Sequence, residues 1–297
     1  MDACARQAKT GKHIVVGVDF SAPSIDVARW TAQHIADAVD LVLAHAIPVH
    51  EPPSFLRGLL PSTEPAIENA RRGAEQRLRA LAASLGVRVW PEIHVGRPDE
   101  VLLDVTKRYA AELLVIGPHG DRPGLGQFLG STAERMAREA PSSVLLARAL
   151  RADGLRTVLV ALEESAINDR VLHWVERLAR SSKAEVRALH VVNPVSAGGP
   201  LLSADAGERH DAEARVRDRS EQWLREELAK HGARAHATEI TFGDARFEIL
   251  AAADRHAADL VVVGRSAPRS GRSKDLGGTA AFIMRNGRGS VLLVAAS

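Results

Sequence analysis

The apolar and polar positions of this chain alternate between two periods. His13-Ile-Val-Val-Gly-Val-Asp19 is a short β-branched run closed by Phe20-Ser21, the pattern of a strand buried on both faces. From Ala22 to Val39 apolar residues recur at helical spacing, with Ile25, Ala28, Ala32, Ile35 and Ala36 on one face. Leu41 to Ile47 reads as a second strand. Pro48 to Pro65 holds five prolines and predicts an irregular excursion. A helix over about Glu64 to Leu85 carries the stripe Ile67, Ala70, Ala74, Leu78, Leu81 and Leu85 and stops at Gly86. Strand Val87 to Val95, helix Asp99 to Ala110, strand Leu113 to Ile116, helix Thr132 to Ala140 and strand Ser143 to Ala147 complete the series.

The series is then written again. Gly96, Gly117 and Gly130 recur as Gly243, Gly264 and Gly277, each 147 residues on, and Ser143-Val-Leu-Leu146 recurs as Ser290-Val-Leu-Leu293 at the same offset. Trp30 pairs with Trp174 at an offset of 144. The second set of elements is strand Thr157 to Leu162, helix Asn168 to Ser181, strand Glu185 to Val192, helix about Asp205 to His231, strand Arg234 to Thr241, helix Ala245 to His256, strand Leu260 to Val263, helix Ala280 to Arg285 and strand Ser290 to Ala295. Strands alternating with helices predict an α/β fold: two tandem doubly wound domains, each with a five-stranded parallel sheet. The expected domains are 1–150 and 151–297, joined near Arg151 to Leu155.

In such sheets ligands sit beyond the carboxyl ends of the strands, where strand order reverses. That directs attention to Asp19, to Ala46, and above all to GPHGDRPGLGQFLGST, Gly117 to Thr132, which lies between a strand and a helix. Free N–H groups and the helix dipole make such a corner attractive to anions. Neither G-x-x-x-x-G-K-[ST] nor G-x-G-x-x-G occurs, and Gly124-Leu-Gly126 is followed by Leu129 where a third glycine would fall. What stands is Gly117-x2-Gly120-x9-Gly130-Ser131.

This motif, between its strand and its helix, resembles the nucleotide-binding signature of the universal stress protein family, and the resemblance covers nearly the whole chain as a tandem pair. It implies an adenine-nucleotide alpha-hydrolase-like, Rossmann-like domain and an ATP site, with or without Mg2+, in each unit whose motif is intact. In the first unit the resemblance assigns Asp19 to the adenosine, Ala46 and Ile116 to its backbone or apolar neighbours, and Gly117, Gly120, Gly130, Ser131 and Thr132 to the phosphates. Asp19 also has an ordinary reading, as a cap or turn residue. The second unit departs from the pattern: Glu163 stands for Asp19, Ala267 for Gly120 and Gly278 for Ser131, with Thr279 retained. An alanine where φ > 0 is needed costs on the order of 1 kcal/mol, and a lost hydroxyl about as much. The second unit is therefore expected to bind ATP weakly or not at all.

Composition narrows the alternatives. A chain of 297 residues with 45% hydrophobic and 26% charged residues is that of an ordinary globular protein, and aromatics at 4% leave its cores to Leu, Val, Ile and Ala. A net charge of +2 gives no reason to expect nucleic acid or a membrane surface as partner. The single cysteine, Cys4, excludes an intrachain disulfide. Residues 1 to 12 lack the apolar core of a signal peptide and no run approaches a membrane span, so the expected location is cytoplasmic.

The second loop, Arg265 to Asp275, carries four cations against one acid, the composition of a solvated loop or of a second anion site. His45 and His190 occupy equivalent strand positions and read as packed core histidines, Trp30 and Trp174 as structural, and no spacing of His, Cys or carboxylates reads as a metal site. Glu163-Glu164, adjacent on a strand, would face opposite sides. The expectation is a nucleotide-binding regulator of stress response rather than an enzyme, with slow ATP hydrolysis or a nucleotide-free interaction module as the rivals. The apolar fifth strands lead us to expect edge-to-edge pairing of the units as an intrachain pseudo-dimer, with a homodimer of chains compatible.

Overall fold

The computed structural model describes residues 12–36, 39–48, 64–117, 130–148, 150–197, 201, 205–265 and 277–296. The chain divides into two compact units, Met1–Leu145 and Leu146–Ser297. The first unit runs β1 (His13–Gly17), α1 (Ala22–His34), β2 (Asp40–Ile47), α2 (Glu64–Ser84), β3 (Val89–Val95), α3 (Pro98–Arg108), β4 (Leu113–Ile116), α4 (Ser131–Glu139) and β5 (Ser143–Leu146). The second runs β6 (Thr157–Ala161), α5 (Asn168–Ser182), β7 (Glu185–Val192), α6 (Pro194–Ala197), α7 (Ala206–Lys230), β8 (Ala237–Phe242), α8 (Ala245–Arg255), β9 (Leu260–Arg265), α9 (Gly278–Asn286) and β10 (Ser290–Ala295).

Strand order in the first unit is β3-β2-β1-β4-β5, and in the second β10-β9-β6-β7-β8, the same winding. In the first unit β1 pairs in parallel with β2 and β4, and β2 with β3. In the second, β6 pairs in parallel with β7 and β9, β7 with β8 and β9 with β10. Ile14, Val15 and Val16 are each 0% exposed although successive side chains point to opposite faces, so the sheet is covered on both sides. The chain winds outward from β1 to β3 and then crosses back to β4. The reversal opens a crevice between the carboxyl ends of β1 and β4.

Several boundaries differ from expectation for physical reasons. Helix α1 leaves helical geometry at Ile35 (φ −125), yet Ile35, Ala36 and Val39 remain buried, so the apolar spacing runs on past the helix that it suggests. Strand β1 ends at Gly17 and β6 at Ala161, which leaves Asp19 and the pair Glu163-Glu164 beyond the strands rather than on them. Only the carboxyl half of the α2 stripe is used: Ala74, Leu78 and Leu81 are buried, while Ala70 is exposed. Helix α6 is a single turn, too short for any periodicity to announce. Gly86 and Gly232 follow α2 and α7 with φ +70 and +62, the left-handed geometry that favours glycine after a helix. Trp30 and Trp174 are 4% and 3% exposed, consistent with structural roles.

Candidate functional site

In the first unit Ser21 is the N-cap of α1: its Oγ accepts from the Ser24 amide at 3.3 Å. The same residue fixes Asp19, whose Oδ1 accepts from the Ser21 amide at 2.9 Å and from the Ser21 hydroxyl at 2.5 Å. Burial pushes the Asp19 carboxyl upward, but the hydroxyls of Ser21 and Ser24 and the Ser21 amide outweigh it and hold the group below the ordinary carboxylate range. Asp19 is thus an anion at neutral pH, its Oδ1 held by Ser21. Phe20 adopts a left-handed φ of 64° beside it. The ring of Phe20 lies 4.4 Å from that of His45 and under the Arg77 guanidinium, 4.1 Å from the centroid.

His45 and His190 are half-buried rather than core residues. Their Nδ1 atoms lie 2.7 Å from the Val18 carbonyl and 2.9 Å from the Leu162 carbonyl. A carbonyl can only accept, so in each ring Nδ1 carries the hydrogen. Burial lowers the affinity of His45 for a second proton. Each histidine therefore ties β2 or β7 to the residue just ahead of the acidic position.

Helix α4 begins at Ser131 with Gly130 as N-cap, and no side chain caps it. Among the described residues no side chain serves its first N–H groups. Its attachment is the Asp99 carboxylate, 7% exposed, which accepts from Arg135 on α4 and, at 2.9 and 3.2 Å, from the two arms of Arg97. Burial raises Asp99, but the two arginines prevail and hold it low.

These parts surround one cavity of about 340 Å³, within the range of small-molecule sites. Of the residues assigned from sequence, Asp19, Ala46, Ile116, Gly117, Gly130, Ser131 and Thr132 all line it; Gly120 lies outside the described residues. A Cβ built on Gly117 would meet nothing within 4 Å among the described residues. Seven lining residues were not assigned from sequence, among them Ser24, Pro98 and Leu102. Ser24 could have been read from Ser21-x-x-Ser24, whereas Pro98 and Leu102 reach the cavity only because α3 packs across β1 and β2.

The second unit has its own cavity of about 450 Å³, lined among others by Glu163, Asn168, Gly264, Gly278 and Thr279. Gly277 caps α9, again with no side-chain hydrogen bond. Its difference lies over the strand end. A Cβ on Gly264 would stand 2.8 Å from Ile167 Cγ2, so Ile167 occupies the space that no described residue fills over Gly117. Matching Trp174 to Trp30 aligns Ile167 with Pro23, an exposed residue. Ala267 and most of the cationic loop lie outside the described residues.

Among the described residues no helix is long and apolar enough to cross a membrane. The universal stress protein family profile matches residues 11–148 and 154–295. A universal stress protein of Mycobacterium tuberculosis, Rv2028c, is 32% identical over 136 residues, 46% of this chain and 47% of the relative, so the match spans about half of that protein. A universal stress protein of Thermus aquaticus, from the QAH/OAS sulfhydrylase 3' region, is 33% identical over 134 residues, 44% of this chain and 93% of its own length. Among solved structures, the universal stress protein from Archaeoglobus fulgidus superimposes with a TM-score of 0.67 at 16% identity, covering 97% of this chain and 100% of its own. The repeat seen in the elements is thus a repeat of one family's domain, and the chain belongs to the universal stress protein family as a tandem two-domain member.

Proposed function

We propose that the first unit binds an adenine nucleotide, ATP in the first instance, and that the protein acts as a nucleotide-dependent regulator rather than a catalyst. The observation that carries the reading is the coincidence, around one cavity, of a glycine-capped helix N-terminus, a strand-end glycine with no described neighbour over it and a fixed anionic carboxylate. The α4 amides with the Ser131 and Thr132 hydroxyls suit phosphate oxygens. Asp19, a cavity-lining anion fixed by the Ser21 turn, suits a ribose hydroxyl. The apolar walls of Ala46 and Ile116 suit the base. Magnesium would arrive with the phosphates, as Asp19 is the sole carboxylate among the cavity's described lining residues. The same lining supplies no nucleophile paired with a base, which favours regulation over turnover.

The test is to denature freshly purified protein and quantify released nucleotide by ion-exchange chromatography, with Gly117→Val alongside. A valine there has no described neighbour within 4 Å of its Cβ in the protein and meets the phosphates in a complex. Nucleotide stoichiometric with the chain, lost in Gly117→Val, is expected. Absence of nucleotide from both proteins, with no binding after addition of ATP and magnesium, overturns the reading in favour of an interaction module.

A further inference from the structure

In the second unit three side chains of metal-ligand type converge away from the glycine corner. The Asp169 carboxylate at the start of α5, the Glu227 carboxylate near the end of α7, and the His231 imidazole just after α7 bring their ligand atoms within 4.8 Å of one another. His231 Nε2 is 3.0 Å from Asp169 Oδ1 and 3.8 Å from Glu227 Oε1. Nevertheless Nε2 is shut off from solvent and makes no hydrogen bond to either oxygen. Two carboxylates and one imidazole with ligand atoms within 4.8 Å of one another, and no hydrogen bond made by the imidazole Nε2, are an arrangement that a cation can complete.

The internal repeat supplies an independent argument. Aligning the helix-ending glycines, Gly86 with Gly232, sets Glu227 against Leu81 and His231 against Leu85, and aligning the tryptophans sets Asp169 against Ile25. In the first unit these positions are apolar, Leu81 buried and Ile25 and Leu85 half-buried. The second unit has replaced all three by oxygen and nitrogen ligands at once. Exchanging three partly or fully buried apolar side chains for polar ones sacrifices burial energy, which a ligand shared by the three would offset.

We propose that Asp169, Glu227 and His231 form a site for a divalent transition metal, Zn2+ being the first choice. One imidazole and two carboxylates, three protein ligands in all, leave a position for water or an incoming group. Zinc ligands at about 2.1 Å in a tetrahedron are roughly 3.4 Å apart, between the two distances found around His231. Glu227 and His231 are an i, i+4 pair on one helical face and are largely buried, with side chains 15% and 17% exposed. Glu227 Oε1 also accepts at 3.1 Å from Asn168 Nδ2, which orients it as outer donors orient ligating carboxylates. The competing cation, Lys230 Nζ, stands 3.8 Å from Asp169 Oδ1 with both side chains over half exposed, a weak pair that a metal displaces. Asn168 also donates to the Glu163 carbonyl at 2.7 Å and lines the second cavity, so the metal is linked to that cavity through one amide.

The experiment is calorimetric titration of ZnCl2 into the full chain, with Co2+ as a spectroscopic substitute whose visible bands report an imidazole-carboxylate environment. Asp169→Asn and His231→Gln are compared with the triple variant Asp169→Ile, Glu227→Leu, His231→Leu, which restores the residues of the first unit. The wild type should bind one equivalent of zinc, each single variant should weaken it about 100-fold or more, and the triple variant should fold and lose the site. Zinc binding of equal strength in the triple variant would place the metal on other histidines and overturn the proposal. So would the absence of binding by the wild type at micromolar zinc.

Discussion

Asp19 illustrates how one side chain can serve the fold and a ligand together. Its Oδ1 closes the turn into α1 through two donors on Ser21, and its depressed proton affinity follows from those bonds. The two glycines at the strand ends illustrate the opposite case, the same residue with different surroundings. We expect Gly117→Ala to leave the unfolding midpoint in urea almost unchanged, because its Cβ meets no described neighbour, while nucleotide retention falls. Gly264→Ala should cost about 1–3 kcal/mol, because its Cβ collides with Ile167 and the buried isoleucine has to move. Equal effects of the two substitutions on stability would show that Ile167 is not seated against the strand end.

At the scale of elements, the two units attach equivalent helices by different chemistry. Helices α3 and α4 are joined by the buried Asp99 with Arg97 and Arg135. In α8 and α9 the charges are rearranged: Asp244 caps α8 and holds Arg246, which lies over Phe247 and Phe282, themselves in edge contact at 5.1 Å. Because Asp99 has a lowered pKa in the folded state, its contribution is present above the unfolded value of about 3.9 and is lost as pH falls through the folded value. Asp99→Asn should therefore destabilise the first unit by about 1–3 kcal/mol at pH 7 and flatten its stability profile below pH 4. Urea unfolding across pH 3 to 7 measures both; a variant that keeps the wild-type acid slope would remove Asp99 from the account.

This scale also shows what could be read from the chain. Strands such as Ile14 to Val16 announce themselves because burial on both faces needs a continuous apolar run, and the repeat is legible because Gly130 and Gly277 stand before equivalent helices. The glycine corner was legible for the same reason: Gly117, Gly130, Ser131 and Thr132 are sequence neighbours of one strand end and one helix start. Ile167 over Gly264 was not, since its effect depends on where the chain bends after β6. The cluster of Asp169, Glu227 and His231 was not either, because β7 and most of α7 intervene between its first two members. Only Glu227 and His231 show as an i, i+4 pair, and that spacing alone reads as an ordinary helix surface.

For the molecule as a whole, the two units share a winding and differ at their strand ends: no described side chain lies over Gly117, whereas Ile167 lies over Gly264 in the unit that also carries the His-carboxylate cluster. The two proposed ligands are held by different elements of one chain. A ligand stabilises the state that it binds by RT ln(1 + [L]/Kd), about 2.7 kcal/mol at a hundredfold excess over Kd. Amide hydrogen exchange followed by mass spectrometry reads that increment locally. ATP with magnesium should slow exchange in β1, β4 and the first turn of α4, and leave α5 and the end of α7 as they were. Zinc should do the reverse, protecting the start of α5 and the residues around Glu227 and His231. Gly117→Val should abolish the first pattern and spare the second, and His231→Gln the converse. Protection by ATP around Gly277 to Ala280 would show that Ile167 yields to a nucleotide and that the second unit binds it after all. Zinc protection that survives His231→Gln would move the metal elsewhere in the chain.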